Sequence, residues 1–259
     1  MSAAASFTPS KPSLTTNDSA VLQALFDAES SPSSAVNIDS TLPAHPAHLS
    51  ISAKEHSFLR AREREIISAL ASQSTPTRET LESAISELSS LVASHPTYPS
   101  AYANRAQALR MLIEAPVPAS ESSGEAEILF SEANTPHLTT LLSDLGTAIS
   151  LSTPRSPTDP VSSLQARLLA DTHTHRAYLL LKISRQLKNS GNGGDAGIPV
   201  RLKEAGPEGL EEMASRDFFF GGRYGNKVAQ QMAVQTNPYA KMCGAIVKEA
   251  MRKEIEGGV

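Results

Sequence analysis

The sequence predicts an all-α protein, and three observations carry that expectation. Apolar residues recur every three or four positions in segment after segment. No stretch alternates with the period of two that a half-buried strand requires. Pro, Ser, Asn and Gly gather where helices of ordinary length would start and stop.

Residues 1–16 are rich in Ser, Thr, Pro and Ala, the composition of a disordered tail. Asn17 or Asp18 can cap a short helix over 17–28, whose Val21, Leu22, Leu25 and Phe26 form one apolar stripe. Residues 29–49, punctuated by Pro32, Pro43 and Pro46, read as a linker. The stripe on the short helix must therefore dock, either on its own domain or as an exported binding motif.

Helix follows helix from residue 50 to residue 259. The first, about 50–73, is charged and carries Phe58, Leu59, Ile66, Ile67 and Leu70 on its apolar side. After a break at Ser74–Thr77, Leu81, Ala84, Ile85, Leu88 and Leu91 mark the second. Pro96 and Pro99 separate it from a third over 100–113. The Pro/Ser/Glu-rich stretch 114–136 leads to a helix over 137–152, closed by Pro154, Pro157 and Pro160. A long helix is expected over about 161–188, then a loop containing NSGNGGDAG. Helices over about 207–221, 226–236 and 238–255 complete the chain, the last with Asn237 as cap and Pro238 in its first turn.

With 259 residues, 40% of them hydrophobic, 5% aromatic and no Trp, the core must be built from Leu, Ala, Ile and Val. A formal net charge of −4, from 27 acids and 23 bases spread along the chain, supplies no basic field for nucleic acid or an anionic membrane. No run approaches the roughly 18 apolar residues of a membrane span, and the first residues lack the apolar core of a secretory signal. The single cysteine, Cys243, cannot form an internal disulfide and fits a reducing compartment. The expected location is the cytosol, with or without the nucleus, and neither nucleic acid nor membrane is an expected partner.

Helix pairs in the tetratricopeptide pattern set a small residue in a groove between large ones. Tyr102-x2-Arg105-Ala106-x2-Leu109 follows the first-helix spacing, and His173-x2-Arg176-Ala177-x2-Leu180 follows it again. Second-helix matches are Ala84-x3-Leu88 with Pro96 behind, Leu141-x3-Leu145 with Ala148, and Ala214-x3-Phe218 with Gly221. Tyr102 and His173 lie 71 residues apart, whereas the standard period is about 34. The excess falls in 114–136 and 189–206, and such insertions cost little because closure entropy grows only logarithmically with length.

The segments NDSAVLQALF (17–26), AYANRAQA (101–108), SDLGTAISLS (143–152) and ASRDFFFGGRYGNKVAQQMAVQTNPYAKMC (214–243) together resemble the tetratricopeptide repeat protein 36 family. The resemblance implies a short helical solenoid of about three helix pairs (about 50–96, 99–154 and 161–222) plus a C-terminal capping pair over 226–256. It implies a non-catalytic adaptor or co-chaperone linked to a 70-kDa heat-shock chaperone. Two alternatives stand beside it: an adaptor that protects one metabolic enzyme from turnover, and an unrecognised all-helical enzyme.

Groove positions follow from helical geometry. Beside the stripe Tyr102, Ala106, Leu109 and Ile113 run Ser100, Asn104, Gln107 and Met111; Asp171, His175, Tyr178 and Lys182 repeat the same steps. A clamp for a chaperone's terminal carboxylates is expected to be absent, because Asp171 and His175 stand where cations would be needed. Asn104 then reads as an ordinary exposed helix residue, and Arg105 and Arg176 as side chains lying across the helix pair.

His173 and His175 point roughly 200° apart on a helix and cannot share a metal ion. His173 is read as filling the groove between helices. GGRYGNK lacks the Gly-Lys-Ser/Thr order of a phosphate loop and reads as a helix end and turn. Cys243 reads as a packing residue. No catalytic residue, metal or cofactor is expected.

Overall fold

The computed structural model describes residues 36–72, 75–115, 129–189 and 196–237. The expected tail 1–16, the helix 17–28, much of 114–136, the glycine-rich loop around 190–195 and the last capping helix with Cys243 lie outside the described residues. Among the described residues the fold is all-α. Seven helices run in order: α1 Ala53–Ala71, α2 Arg78–Ser94, α3 Pro99–Glu114, α4 Thr135–Ser152, α5 Ser163–Asn189, α6 Val200–Arg223 and α7 Lys227–Thr236.

Their ends follow capping chemistry. Ser52 Oγ accepts from the Glu55 amide (3.2 Å) at the start of α1, and Thr77 Oγ1 accepts from the Thr80 amide (3.3 Å) at α2. Ser162 Oγ accepts from the Gln165 amide (3.1 Å) at α5, and Asn226 Oδ1 from the Ala229 amide (3.0 Å) at α7. Pro99 and Pro136 sit in the first turns of α3 and α4, where a missing amide hydrogen costs nothing. Helix α6 begins earlier than expected because its first turns and the predicted 207–221 segment join through a bend at Gly206 (φ 68°), just before Pro207. It stops where Gly225 takes a positive φ of 104°.

Consecutive helices pack antiparallel. Leu59 clusters with Leu91, while Ile66, further along α1, meets Ala84 and Leu88. The main core joins α3 to α7 around Ala106, Leu109, Leu138, Leu141, Leu145, Ala177, Leu180, Ala214, Phe218 and Ala229. Ala106 and Ala177 are fully buried, so a larger side chain would force the paired helices apart. Gly221 does the same for α6: a Cβ there would stand 2.7 Å from Thr174 Oγ1 and 3.0 Å from the Ala229 Cβ. On α1, Phe58 and Ile67 are exposed rather than on the apolar side, since neighbours on a helix diverge by about 100° and Leu59 and Ile66 take the buried positions.

One ionic contact recurs in each helix pair. Arg62 on α1 meets Glu87 on α2 (2.8 Å), Arg105 on α3 meets Asp144 on α4, and Arg176 on α5 meets Asp217 on α6. The acids directly precede Leu88, Leu145 and Phe218, the large residues of the three second helices. The second and third contacts are bidentate. Arg105 donates to both Asp144 oxygens (2.7 and 2.6 Å), and Arg176 to both Asp217 oxygens (2.6 and 2.7 Å).

Arg105 and Arg176 are therefore ion-pair anchors rather than side chains merely lying across the pair. His173, buried, adds Nδ1 to Asp217 at 2.8 Å and stacks on Tyr224. Burial alone would raise the Asp217 carboxyl, but the bonds from Arg176 and His173 outweigh it and hold it below the usual carboxylate range. Tyr102, expected in the buried stripe, is only half-buried and donates its hydroxyl to the Pro96 carbonyl (3.1 Å).

The segment 36–49, expected to be linker, packs on the helices. Ile38 and Val161 form a one-residue parallel bridge, with the Asp39 amide donating to the Val161 carbonyl (2.9 Å) and the Val161 amide to the Asn37 carbonyl (2.9 Å). Main-chain pairing of this kind leaves little trace in side-chain periodicity.

Asp144→Ala would strand the Arg105 guanidinium and should lower the unfolding free energy by about 3 kcal/mol. Glu87→Ala breaks the half-exposed counterpart and should shift the urea midpoint far less. Urea denaturation of the two variants side by side checks the contrast.

Candidate functional site

Helices α3, α5 and α7 present their side chains to one groove of 670 Å³. Five of the seven predicted groove residues line it: Asn104 and Gln107 from α3, and Asp171, His175 and Tyr178 from α5. Steps of three and four along two helices of one orientation bring them together, as the geometry requires. Met111 and Lys182 do not line it. Met111 is half-buried, and Lys182 stands over the Tyr178 ring at 4.9 Å with its amine 3.8 Å from Glu114.

Burial and partners set each residue's chemistry. Asn104 is not an ordinary exposed residue: it is half-buried, and its Nδ2 donates to Glu63 Oε1 at 2.6 Å. Asp171 is exposed, 3.8 Å from Arg167. Tyr178 meets two cations, the Arg110 guanidinium at 5.1 Å and the Lys182 amine at 4.9 Å from its centroid, and both cations also contact Glu114 Oε1. His175 aims Nε2 into buried space without a protein partner. Burial, with Arg110 adding repulsion, pushes its pKa down to about 4, so the ring is neutral at neutral pH.

Sequence reasoning missed the contribution of α7, which brings Val228 and Met232 to the groove edge, and that of Arg110. Val228 is exposed and apolar, as is Val234 in the same short helix. His173 and His175 part as expected, the first to Asp217 and the second into the groove. No group of three or more His, Cys, Asp or Glu that could hold a metal occurs among the described residues. No helix among them is long and apolar enough to cross a membrane.

The chain is 62% identical over 257 residues to a protein of Aspergillus fumigatus named L-tyrosine degradation gene cluster protein hmgX, covering 99% of both chains. The chain belongs to the hmgX family. No family model matches it, and no solved structure matches it.

Membership of the hmgX family overturns the resemblance to the tetratricopeptide repeat protein 36 family, and with it the reading as a tetratricopeptide adaptor or co-chaperone of a 70-kDa heat-shock chaperone. The physical reason lies in the motif. A small residue three or four positions from a large one is what any close antiparallel helix pair demands, and the 71-residue interval between its clearest copies is twice the repeat period.

The His175 shift has a defined sign. Its folded pKa, about 4, lies below the 6.5 of an ordinary histidine, so the unfolded chain takes up a proton first as pH falls. Stability should decline between pH 6.5 and pH 4, with His175 contributing about 3 kcal/mol of the loss. His175→Gln should flatten that limb of a urea-midpoint against pH profile, with α5 remaining helical by circular dichroism.

Proposed function

We propose that the protein is a non-catalytic accessory protein of L-tyrosine degradation, which binds an enzyme of that process and protects it from turnover. Identity of 62% along 99% of both chains with a protein named for an L-tyrosine degradation gene cluster carries the metabolic half of this reading. The open groove supports the binding half. Its base is apolar, through Leu145, Leu181 and Phe218, and its wall holds the Tyr178 ring with the Arg110 guanidinium against it. Such a surface suits a peptide segment that brings apolar and acidic or aromatic side chains. The place we assign it is the cytosol, with another protein as partner and neither nucleic acid nor membrane involved.

Affinity capture from cells grown on L-tyrosine should recover one enzyme of tyrosine breakdown in stoichiometric amount. Deleting the gene should shorten that enzyme's half-life without changing its transcript. Tyr178→Ala combined with Arg110→Glu should weaken capture at least tenfold while leaving the helical circular dichroism signal intact. An unchanged half-life in the deletion strain refutes the protective role, and turnover of a tyrosine-derived compound by the purified protein alone refutes the non-catalytic one.

A further inference from the structure

A second cavity, of 280 Å³, opens beside the groove and shares Asn104, Leu168 and Asp171 with it. The 36–49 segment, helices α1, α3, α4 and α5, and Tyr98 build it together. The 36–49 segment, held at its far end by the Val161 bridge and by Ser162 Oγ donating to the Ala44 carbonyl (3.2 Å), delivers His45. Helix α1 contributes His56, Arg60 and Glu63, and Tyr98 enters from the start of α3.

Two residues that line this small cavity carry a buried polar atom with no protein partner: Nε2 of His45, which is 8% exposed and also borders a neighbouring cavity, and Oγ of Ser152, which is 1% exposed. Folded proteins rarely leave such atoms unmatched, and two around one space point to a molecule that supplies the missing partners. The buried end is already a phenol-recognition site in miniature. Glu63, 7% exposed, accepts the Tyr98 hydroxyl at 2.9 Å and the Asn104 amide at 2.6 Å.

A carboxylate offers about four acceptor positions, so two remain on Glu63. Burial, reinforced by His56, pushes the His45 pKa down to about 4, which leaves a neutral ring able to accept or donate at Nε2. The rings of His56 and Tyr98 meet His45 edge-on at 4.8 and 5.4 Å and form an aromatic wall. At the solvent end stand two exposed cations, Arg60 and Arg167.

We propose that this cavity binds a small hydroxylated aromatic carboxylate, with its hydroxyl inward against Glu63 and His45 and its carboxylate outward on Arg60 and Arg167. The volume lies just below the usual range for small-molecule sites, about 300–1,000 Å³, and suits one ring with a short side chain. The inference deepens the accessory reading and rests on it: L-tyrosine and compounds that keep its ring hydroxyl and carboxylate belong to this chemical class. A molecule seated here also touches Asn104 and Asp171 of the groove, so metabolite load would reach the partner-binding surface directly.

Calorimetric titration of the full chain tests it with three probes. 4-Hydroxyphenylacetate carries both groups, phenylacetate lacks the hydroxyl, and 2-(4-hydroxyphenyl)ethanol lacks the carboxylate. The first should bind at least tenfold more tightly than either of the others. Glu63→Gln should remove the preference over phenylacetate. Arg60→Gln, at an exposed position, should weaken the preference over the alcohol, with Arg167 holding the remainder. No heat from any probe at millimolar concentration, equal affinity for all three, or an unchanged preference in Arg60→Gln overturns the proposal. Enzyme capture run in parallel separates the two readings: capture without ligand heat removes only this inference, whereas loss of capture removes the accessory role beneath it.

Discussion

The bridge from an arginine on one helix to a carboxylate on the next is the interaction on which the rest of the structure depends. A helix pair packed only through alanine and leucine can slide by a turn at modest cost, because apolar contact has little direction. A planar guanidinium gripping both oxygens of an aspartate fixes rotation and register together. Arg105–Asp144 and Arg176–Asp217 do this in the second and third pairs, with the acid buried in each case. The first pair repeats the contact at the surface with Arg62 and Glu87, where water weakens it.

That weaker first pair is where the chain departs from its own pattern. The residue after the arginine is Ala106 in the second pair and Ala177 in the third, but Glu63 in the first. A carboxylate at the helix–helix interface needs partners, and Tyr98 and Asn104 supply them from α3. The substitution turns a simple packing position into a polar centre, and the small cavity forms around it. The groove beyond is built from the regular part of the pattern, in which α3 and α5 present matching faces.

Much of the fold was legible because it is written in periodicity. Leu81, Ala84, Leu88 and Leu91 bury as their spacing requires, and Ser52, Thr77 and Asn226 start their helices by local chemistry that no distant residue alters. The groove residues were legible on the same ground, since one face of a helix follows from one period. Met111 and Lys182 fell outside for local reasons: Met111 is half-buried, and Lys182 turns to Glu114 and the Tyr178 ring while Leu181 and Arg185 beside it line the groove.

The ion pairs were not legible one helix at a time. Asp144 and Asp217 look like solvent-facing acids until their common position before Leu145 and Phe218 is set beside Arg105 and Arg176. His45 was invisible for another reason: a proline-rich segment has no periodicity to read, and its placement depends on a main-chain bridge. Family membership was misread because the helix-pair notch reflects steric need and carries little information about descent.

The bridge at Val161 has a consequence for the order in which the molecule is assembled. Ser162 and Ala44, which it holds together, are separated by 118 residues. During synthesis α1 to α4 leave the ribosome and can pair before Val161 exists, so the early chain carries His45 on a strap with nowhere to fasten. Closing so long a loop is among the slowest steps open to the domain, and it follows the pairing of neighbouring helices. The small cavity therefore acquires its walls only after α1 to α4 have paired, and its completion reports that the long central helix has begun to dock.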